Sequence, residues 1–488
     1  MNIVDPILFQ CRRQPPTAAI CVPGAGIGLI SYRRLEQFVH NITRRLQTLG
    51  LPTQSVVAVN IQDVIFHVAV LLALTRLGMI TVSLREDQGS MPFKTDALIA
   101  DPGLPVVDMG RVVLADPSWT EGDGRPVEPH LLPKTHEDDL CRIILTSGTT
   151  NAPKGVAISH KMLAGRMARH LTVFGNRLGN CSRIYSDVPV SSSLGFQFLI
   201  YTLWRGGTAF FPGKDFESTL PVLEQYKVQC MVGSPGGFEN LLRWFDVVPG
   251  YQSNIEVLLC AGDVLSRPLS DRLRSRICSH LVTFYGATET SMSATAHAHE
   301  LTVFPRAVGY VTPDVTMQIV DAAGTILPPD QEGYVRLKSD YAVDRYFRNP
   351  EESAKVFRDG WFYPGDLGTL SAEGLLVISG REQAVLNLGG DKVSPEAIEA
   401  VLLQFNGVTE AAVFAAPNEY GNNEIQAAIV GQGPFDEQRI KDHCAVKFPQ
   451  QFTPTRIHVV ESLPHNEMGK LDRSRLTEWL KLTVAPGT

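Results

Sequence analysis

The stretch LTSGTTNAPKGVAISH, residues 145–160, decides the architecture of this chain. Five successive residues, Thr146 to Thr150, are small and either hydroxylated or glycine, and Pro153-Lys154-Gly155 follow. The apolar run RIIL before them reads as a strand feeding a loop, and a helix is predicted to start near Lys161. Backbone N–H groups free to turn inward, hydroxyls able to donate and one mobile cation are what a polyphosphate requires. The order differs from a Walker A loop, since Pro-Lys-Gly stands where Gly-Lys-Ser/Thr would be needed. Ser/Thr/Gly composition alone would mark a polar surface loop. The residue order is far rarer than the composition and favours an anion cradle.

Outward from this loop the chain keeps a βαβ rhythm. Residues 18–60 read as strand, turn, strand, helix, strand, with Ser31 capping a helix that runs to about Leu49 and stops at Gly50. PGAGIG, residues 23–28, lacks the last glycine of a dinucleotide fingerprint and is followed by strand-like LISY, so it reads as a hairpin turn. VVAVNI and MITVSL are strands around a helix near 62–77, and residues 140–290 continue the alternation. This predicts a mostly parallel, helix-covered sheet. After about residue 300, short alternating segments and Gly-rich turns predict antiparallel sheet. Near 381–391 the pattern changes again. Ser394-Pro395 reads as an N-cap and first turn, followed by a helix, two strands, a helix and a strand. The expected class is α/β: a large N-terminal unit (1–382) with an antiparallel β subdomain, then a small mobile α+β unit (383–488).

Composition narrows the function. With 488 residues, 44% apolar and 19% charged, the chain suits a globular protein of two to four units. A net charge of −7 argues against a nucleic-acid surface and leaves room for a local basic pocket. The cysteines stand singly, without CxxC or Cys/His clusters, which predicts neither zinc nor a disulfide framework and suggests a cytoplasmic setting. The N-terminus lacks signal-peptide order, and the apolar stretch from His67 to Leu84 is interrupted by Arg76 and Gly78, so no membrane span is expected.

Two further residues are placed by spacing. Asp366 and Arg381 each lie seven residues from a turn at Glu373-Gly374. A symmetric hairpin sets them opposite each other, their Cβ atoms ~5 Å apart.

TSGTTNAPKG (146–155), YGATE (285–289), GWFYPGDLG (360–368), GR (380–381), GGDKVSPEAIE (389–399) and LPHNEMGKLDR (463–473) occur in one order along the chain. In this the sequence resembles the adenylate-forming superfamily: acyl- and aryl-CoA synthetases, peptide-synthetase adenylation domains and firefly luciferase. The resemblance spans about residues 18–480 and is closest to acyl-CoA synthetases. It implies that a carboxylic acid is activated with ATP and Mg²⁺ to acyl-AMP and pyrophosphate, then passed to coenzyme A.

The resemblance also implies roles. Thr146, Ser147, Gly148, Thr149, Thr150 and Lys154 would cradle phosphates. Tyr285, Gly286 and the strand end Ala261-Gly262-Asp263 would hold adenine. Thr288 would bind the α-phosphate and Glu289 the Mg²⁺. Asp366 would accept from both ribose hydroxyls, with Arg381 on the same sugar or phosphate. Lys470, the catalytic lysine, would bridge substrate carboxylate and α-phosphate, and Gly389-Gly390 would help form a thiol channel.

The sequence departs from the family pattern at Asn151, at Gln383-Ala384 in the hinge, and at Ser191 and Ser192, which replace an aromatic-and-His segment and predict a wider or more polar acyl pocket. The Asp that holds an amino acid's amine has no clear counterpart near 187–195, which argues against an amino-acid substrate. Two other readings remain open: a free-standing enzyme loading a carrier protein's phosphopantetheine, and a nucleotide-binding relative without catalysis. A monomer or homodimer is expected.

Overall fold

The strand Leu140–Thr146 carries the chain into the loop, and Lys154–Ser159 returns antiparallel beside it, pairing Thr146 with Lys154. The computed structural model describes residues 1–25, 28–84, 91–104, 110–146, 153–246, 253–262, 265, 267–297, 300, 307–382, 386–388, 391–417, 423–448, 452–466, 470–473, 475–476 and 479. The returning strand ends at Ser159, whose hydroxyl accepts from Met162 N–H at 3.2 Å and caps the helix His160–Asn180.

These two strands close one edge of a six-stranded sheet whose other members pair in parallel. A second, fifteen-stranded sheet contains the parallel strands Thr208–Phe210, Arg183–Ser186, Cys230–Gly233, Val257–Ala261 and Leu281–Ala287 in that order. There it turns antiparallel, because Ser291–His297 folds straight back on Leu281–Ala287. The expected antiparallel subdomain is therefore a continuation of the parallel sheet.

One buried cluster joins both sheets, taking Ile20 and Ile184 from the larger, Val57 and Val59 from the smaller, and two apolar helices between them. Those helices, Val64–Arg76 and Ser193–Trp204, are apolar on nearly every face, as helices enclosed on all sides must be. Val64–Arg76 is the core of the apolar stretch noted in the sequence. No helix among the described residues is long and apolar enough to cross a membrane.

Ser31 caps the helix Tyr32–Gln47, and Ala18–Cys21 pairs antiparallel with Leu29–Ser31, so PGAGIG is a hairpin connection. Beyond Leu386 the chain has a core of its own, built on Ile398, Val413, Ile425 and Ile440, around the strands Val408–Pro417, Asn423–Gly431 and Arg456–Val459. The helix Pro395–Leu402 starts where expected, but the Ser394 hydroxyl donates to Glu396 at 2.6 Å instead of capping the backbone.

The Asp366–Arg381 hairpin forms with a different register from a symmetric one. Asp366 faces Arg381 and Leu367 faces Gly380, but from Gly368 onward the pairing shifts by one residue at Ser379. The bulge next to Gly380 preserves the pair while moving the turn.

Four buried histidines make the fold acid-sensitive. Burial, with neighbouring arginines in three of them, pushes the imidazole from 6.5 down to about 4 in His40, His67 and His160 and to about 3 in His170. Between those values the unfolded chain takes up protons that the native chain refuses. Stability present above pH 6.5 is therefore lost as pH falls through 6.5 toward 4. Calorimetry should give a lower Tm at pH 5.5 than at 7.5; an equal or higher Tm at 5.5 would show that the folded imidazoles accept protons.

Candidate functional site

The helix that follows the loop carries two arginines whose side chains are fully buried, one turn apart. Arg166 donates from Nη1 to the Thr288 carbonyl at 3.1 Å, from Nη2 to that of Glu289 at 2.9 Å and from Nε to that of Tyr341 at 3.0 Å. Arg169 donates to the Thr290 and Met292 carbonyls at 2.8 and 2.6 Å, to Asp314, and to Ser339. Gly165 makes this approach possible, since a Cβ there would stand 2.1 Å from the Tyr341 ring. The turn holding Thr288 and Glu289 is thus tied to the helix that begins at the end of the loop hairpin.

That turn lines a cavity of about 400 Å³. Thr146, Lys154, Ala261, Gly262, Gly286, Thr288, Glu289, Asp366, Arg381 and Lys470 all border it. Tyr285 adjoins through its contact with Asp366. Ser147, Gly148, Thr149, Thr150, Asp263, Gly389 and Gly390 lie outside the described residues, as do Asn151, Gln383 and Ala384.

Lys154, Glu289, Asp366 and Arg381 each have a partner at the cavity. Lys154 Nζ lies 2.6 Å from Glu352 and over the Tyr346 ring. The Tyr346 hydroxyl donates to Glu289 Oε1 at 2.8 Å. Glu289 is buried, and burial raises its carboxyl above the usual range despite that bond and the cations Arg166 and Lys154. Asp366, 4% exposed, accepts from Arg381 Nε at 3.1 Å on one oxygen and from the Tyr285 hydroxyl on the other. Burial, then the charge of Asp366, pushes that hydroxyl's pKa well up. Asp366 therefore has two protein partners, where the sequence suggested a ligand as its main one.

Lys470 comes from the C-terminal unit. Its N–H donates to Asn466 Oδ1 at 3.1 Å and its carbonyl accepts from Asn466 N–H at 2.8 Å. Its Cε lies 3.8 Å from where a Cβ on Gly262 would stand, which sets the side chain beside the strand end Ala261-Gly262.

Two expected roles acquire structural causes. Gly286 is required by the fold itself, because a Cβ there would sit 2.0 Å from the Ser291 carbonyl oxygen. Ser192 lines the cavity, but it caps the helix Ser193–Trp204, accepting from Gly195 N–H at 3.0 Å. Asp187, in the segment searched for an amine-binding carboxylate, is nearly buried against Tyr185 and Gly237 and is not part of the cavity wall.

Sequence reasoning missed Arg166, Arg169, Glu352 and Tyr346. No local signal marks the arginines, whose carbonyl partners are distant in the chain. An aromatic run in a polar segment, DYAVDRYFRNPEE, is the one local sign that residues 340–352 cover something.

The chain is similar to known proteins. A family model described as AMP-binding enzyme matches residues 94–347, and one described as AMP-binding enzyme C-terminal domain matches 397–470. A 4-chlorobenzoate–CoA ligase from Arthrobacter is 26% identical over 97% of this chain and 94% of its own length. A 3-hydroxybenzoate–CoA ligase from Aromatoleum is 26% identical over 99% and 97%. The structure of the amide bond synthetase McbA from Marinactinospora thermotolerans superposes with a TM-score of 0.81 at 24% identity, over 97% of this chain and 99% of that one.

Arg169→Met would strip donors from two buried carbonyls and from Asp314, a loss of about 3–5 kcal/mol for breaking a buried, hydrogen-bonded charge. A thermal melt should show a clear fall in Tm for Arg169→Met and almost none for Arg345→Met, whose partner Asp344 is exposed. Equal effects would mean that the clamp does not hold the turn.

Proposed function

Because this chain belongs to the AMP-binding enzyme family, we propose that its cavity residues divide an adenylation reaction among them. The enzyme activates a carboxylic acid with ATP, giving the acyl adenylate and pyrophosphate, and passes the acyl group to the thiol of coenzyme A. The observation that carries the residue assignment is Lys470 beside Gly262, on the same cavity as Lys154, Thr288, Glu289 and Asp366.

In the first step the carboxylate oxygen attacks the α-phosphorus and pyrophosphate leaves. Catalysis is mostly positioning and charge neutralisation. Thr288 holds the α-phosphate, and Thr146 with Ser147, Gly148, Thr149 and Thr150 cradles the departing phosphates. Lys154 leaves Glu352 to meet them. Ala261, Gly262, Asp263 and Tyr285 border the adenine. Asp366 takes the ribose hydroxyls; each carboxylate oxygen has a second lone pair beyond the one used by Arg381 or Tyr285. Mg²⁺ takes one or two carboxylates together with phosphate oxygens, and the buried Glu289, aimed by Tyr346, fits that need. The bound ion would neutralise phosphate charge. Lys470 lies between two approaching anions and offsets their repulsion.

In the second step the unit beyond about residue 383 turns and takes Lys470 away. The Gly389-Gly390 segment then helps admit the thiol, which attacks the acyl carbonyl and expels AMP. The acid is a small aromatic one: two relatives of near-complete coverage are named for benzoates, and the cavity has to hold acid and nucleotide together.

ATP–pyrophosphate exchange over a panel of acids tests the adenylation; no exchange with any acid would sink it. Thioester formed with free coenzyme A, by mass spectrometry, tests the acceptor, and product appearing only on a phosphopantetheinyl carrier protein would replace it.

Lys470→Ala should lose roughly 10²–10³ in the first step, as when one preorganised donor is removed from developing charge. Given synthetic acyl-AMP and coenzyme A, the same variant should still form thioester at close to the normal rate. Collapse of both half-reactions would make Lys470 structural. Glu352→Gln frees Lys154 from its ion pair and should lower the KM for ATP; a higher KM would mean that Glu352 positions the lysine instead.

A further inference from the structure

Resting on the adenylation reading, we propose that Arg142 and the serines in front of it select the acid. The acid they select carries a second anionic group, a carboxylate or sulfonate, at the end away from the carboxylate that is adenylated.

Arg142 is fully buried on the strand that leads into the phosphate loop. Its guanidinium donates to the Ser83 hydroxyl at 2.8 Å, to the Val190 carbonyl at 3.3 Å and to Thr81 at 3.4 Å, and it lies over the Phe196 ring. All of those partners are neutral. Among the described residues no carboxylate pairs with Arg142, and its Nε has no acceptor. The two other buried arginines differ, since Arg169 pairs with Asp314 and the charge of Glu289 favours Arg166. Burial lowers the Arg142 guanidinium to about 9, which leaves it charged at neutral pH. A buried charge without a counter-ion is costly. Its field acts across the neighbouring residue and requires no direct contact.

The charge lies one residue behind the cavity wall. Ser83 borders the cavity, and so does Ser191, which follows Val190. Ser191 and Ser193 are half-buried there, within reach of a ligand. The Ser191 hydroxyl has no partner among the described residues, and Ser193 accepts from Gln197 at 2.8 Å and keeps its own hydrogen to give. Both stand at the start of the helix Ser193–Trp204, whose first N–H groups add positive potential. Hydroxyl donors in front of a fixed positive charge suit an anion. An anion at this wall would stand ~6–8 Å from the guanidinium, which at an effective dielectric of about 20 favours it by roughly 30–100-fold.

The reacting carboxylate is elsewhere. It meets the α-phosphate at Thr288, and Ser291, three residues further on, donates to Gln197 at 2.7 Å. Through the Gln197 amide, the Ser291 and Ser193 hydroxyls stand within ~8 Å of each other. That is the span of a benzene ring with a group at each end. A cavity of about 400 Å³ shared with a nucleotide leaves no room for a long chain.

The test is exchange kinetics of the full-length enzyme with terephthalate, 4-sulfobenzoate, 4-carbamoylbenzoate, benzoate and octanoate. Terephthalate or 4-sulfobenzoate should exceed the neutral 4-carbamoylbenzoate in kcat/KM by roughly 30-fold or more, and the better of the two tells carboxylate from sulfonate. Arg142→Lys, which keeps the charge, should retain most of that ratio, and Arg142→Met should bring it to within about threefold. Should Arg142→Met fail to fold, Ser191→Ala, at a half-buried position, should cut the ratio roughly tenfold with Tm unchanged, as when a hydrogen bond to a charged group is lost. 4-Carbamoylbenzoate, benzoate or octanoate as the best acid would overturn the proposal and leave adenylation standing. So would a ratio unchanged in Ser191→Ala or in Arg142→Met, because a merely structural arginine lowers every acid in proportion. No exchange with any acid would overturn both readings.

Discussion

Two guanidinium groups on one helix hold the site together. Arg166 and Arg169 reach from the helix that begins at Ser159, and their N–H groups end on the backbone carbonyls of 288–292 and of Tyr341. A guanidinium keeps its charge and presents its donors in a fixed fork. Carbonyl oxygens spread over a turn are the acceptors that match it. Such burial is costly unless nearly every donor is used, so the arrangement resists gradual deformation. Its consequence is metric. Lys154 enters from one end of the hairpin and Thr288 from the far sheet, yet their separation is fixed by a rigid helix and five charge-assisted bonds.

The proposed reaction requires an acidic protein to receive a polyanion. The net charge is −7, but two cations at the site are each held by a carboxylate partner. Lys154 rests on Glu352 and Arg381 on Asp366, and each pair would be rearranged or shared when a phosphate or sugar arrives. Such pairing limits the desolvation cost of binding, because the ammonium is already stripped of much of its water. It also keeps Lys154 and Arg381 from drawing in other anions. Elsewhere on the cavity wall Ser291, Gln197 and Ser193 pair with one another.

Much of this was legible from the sequence because its causes are local. The strand that leads into TSGTT, the βαβ rhythm, the Ser31 cap and the C-terminal α+β order all arise from short-range chemistry, and all appear in the fold. The facing of Asp366 and Arg381 was predictable from spacing, since strands alternate with period two. Its detail was not: a bulge at Ser379 kept the pair and moved the turn, which no count from the loop could reveal. The same limit applied to Ser394, whose hydroxyl chose a neighbouring carboxylate over the helix end.

What only the tertiary structure decided is which residues far apart in the chain share one desolvated space. Arg166 and Arg169 belong to no motif, and their carbonyl partners stand more than a hundred residues away in the chain. Gly286 was read as making room for a ligand, whereas its nearest obstacle is the Ser291 carbonyl across a turn. Tyr346 and Glu352 belong to no sequence motif, because what matters about each is the partner it has. The sequence determined the elements and the reactive groups, since propensity and motif chemistry act over a few residues. Burial, pairing and the size of the pocket were decided by packing, since solvent exclusion depends on every layer at once.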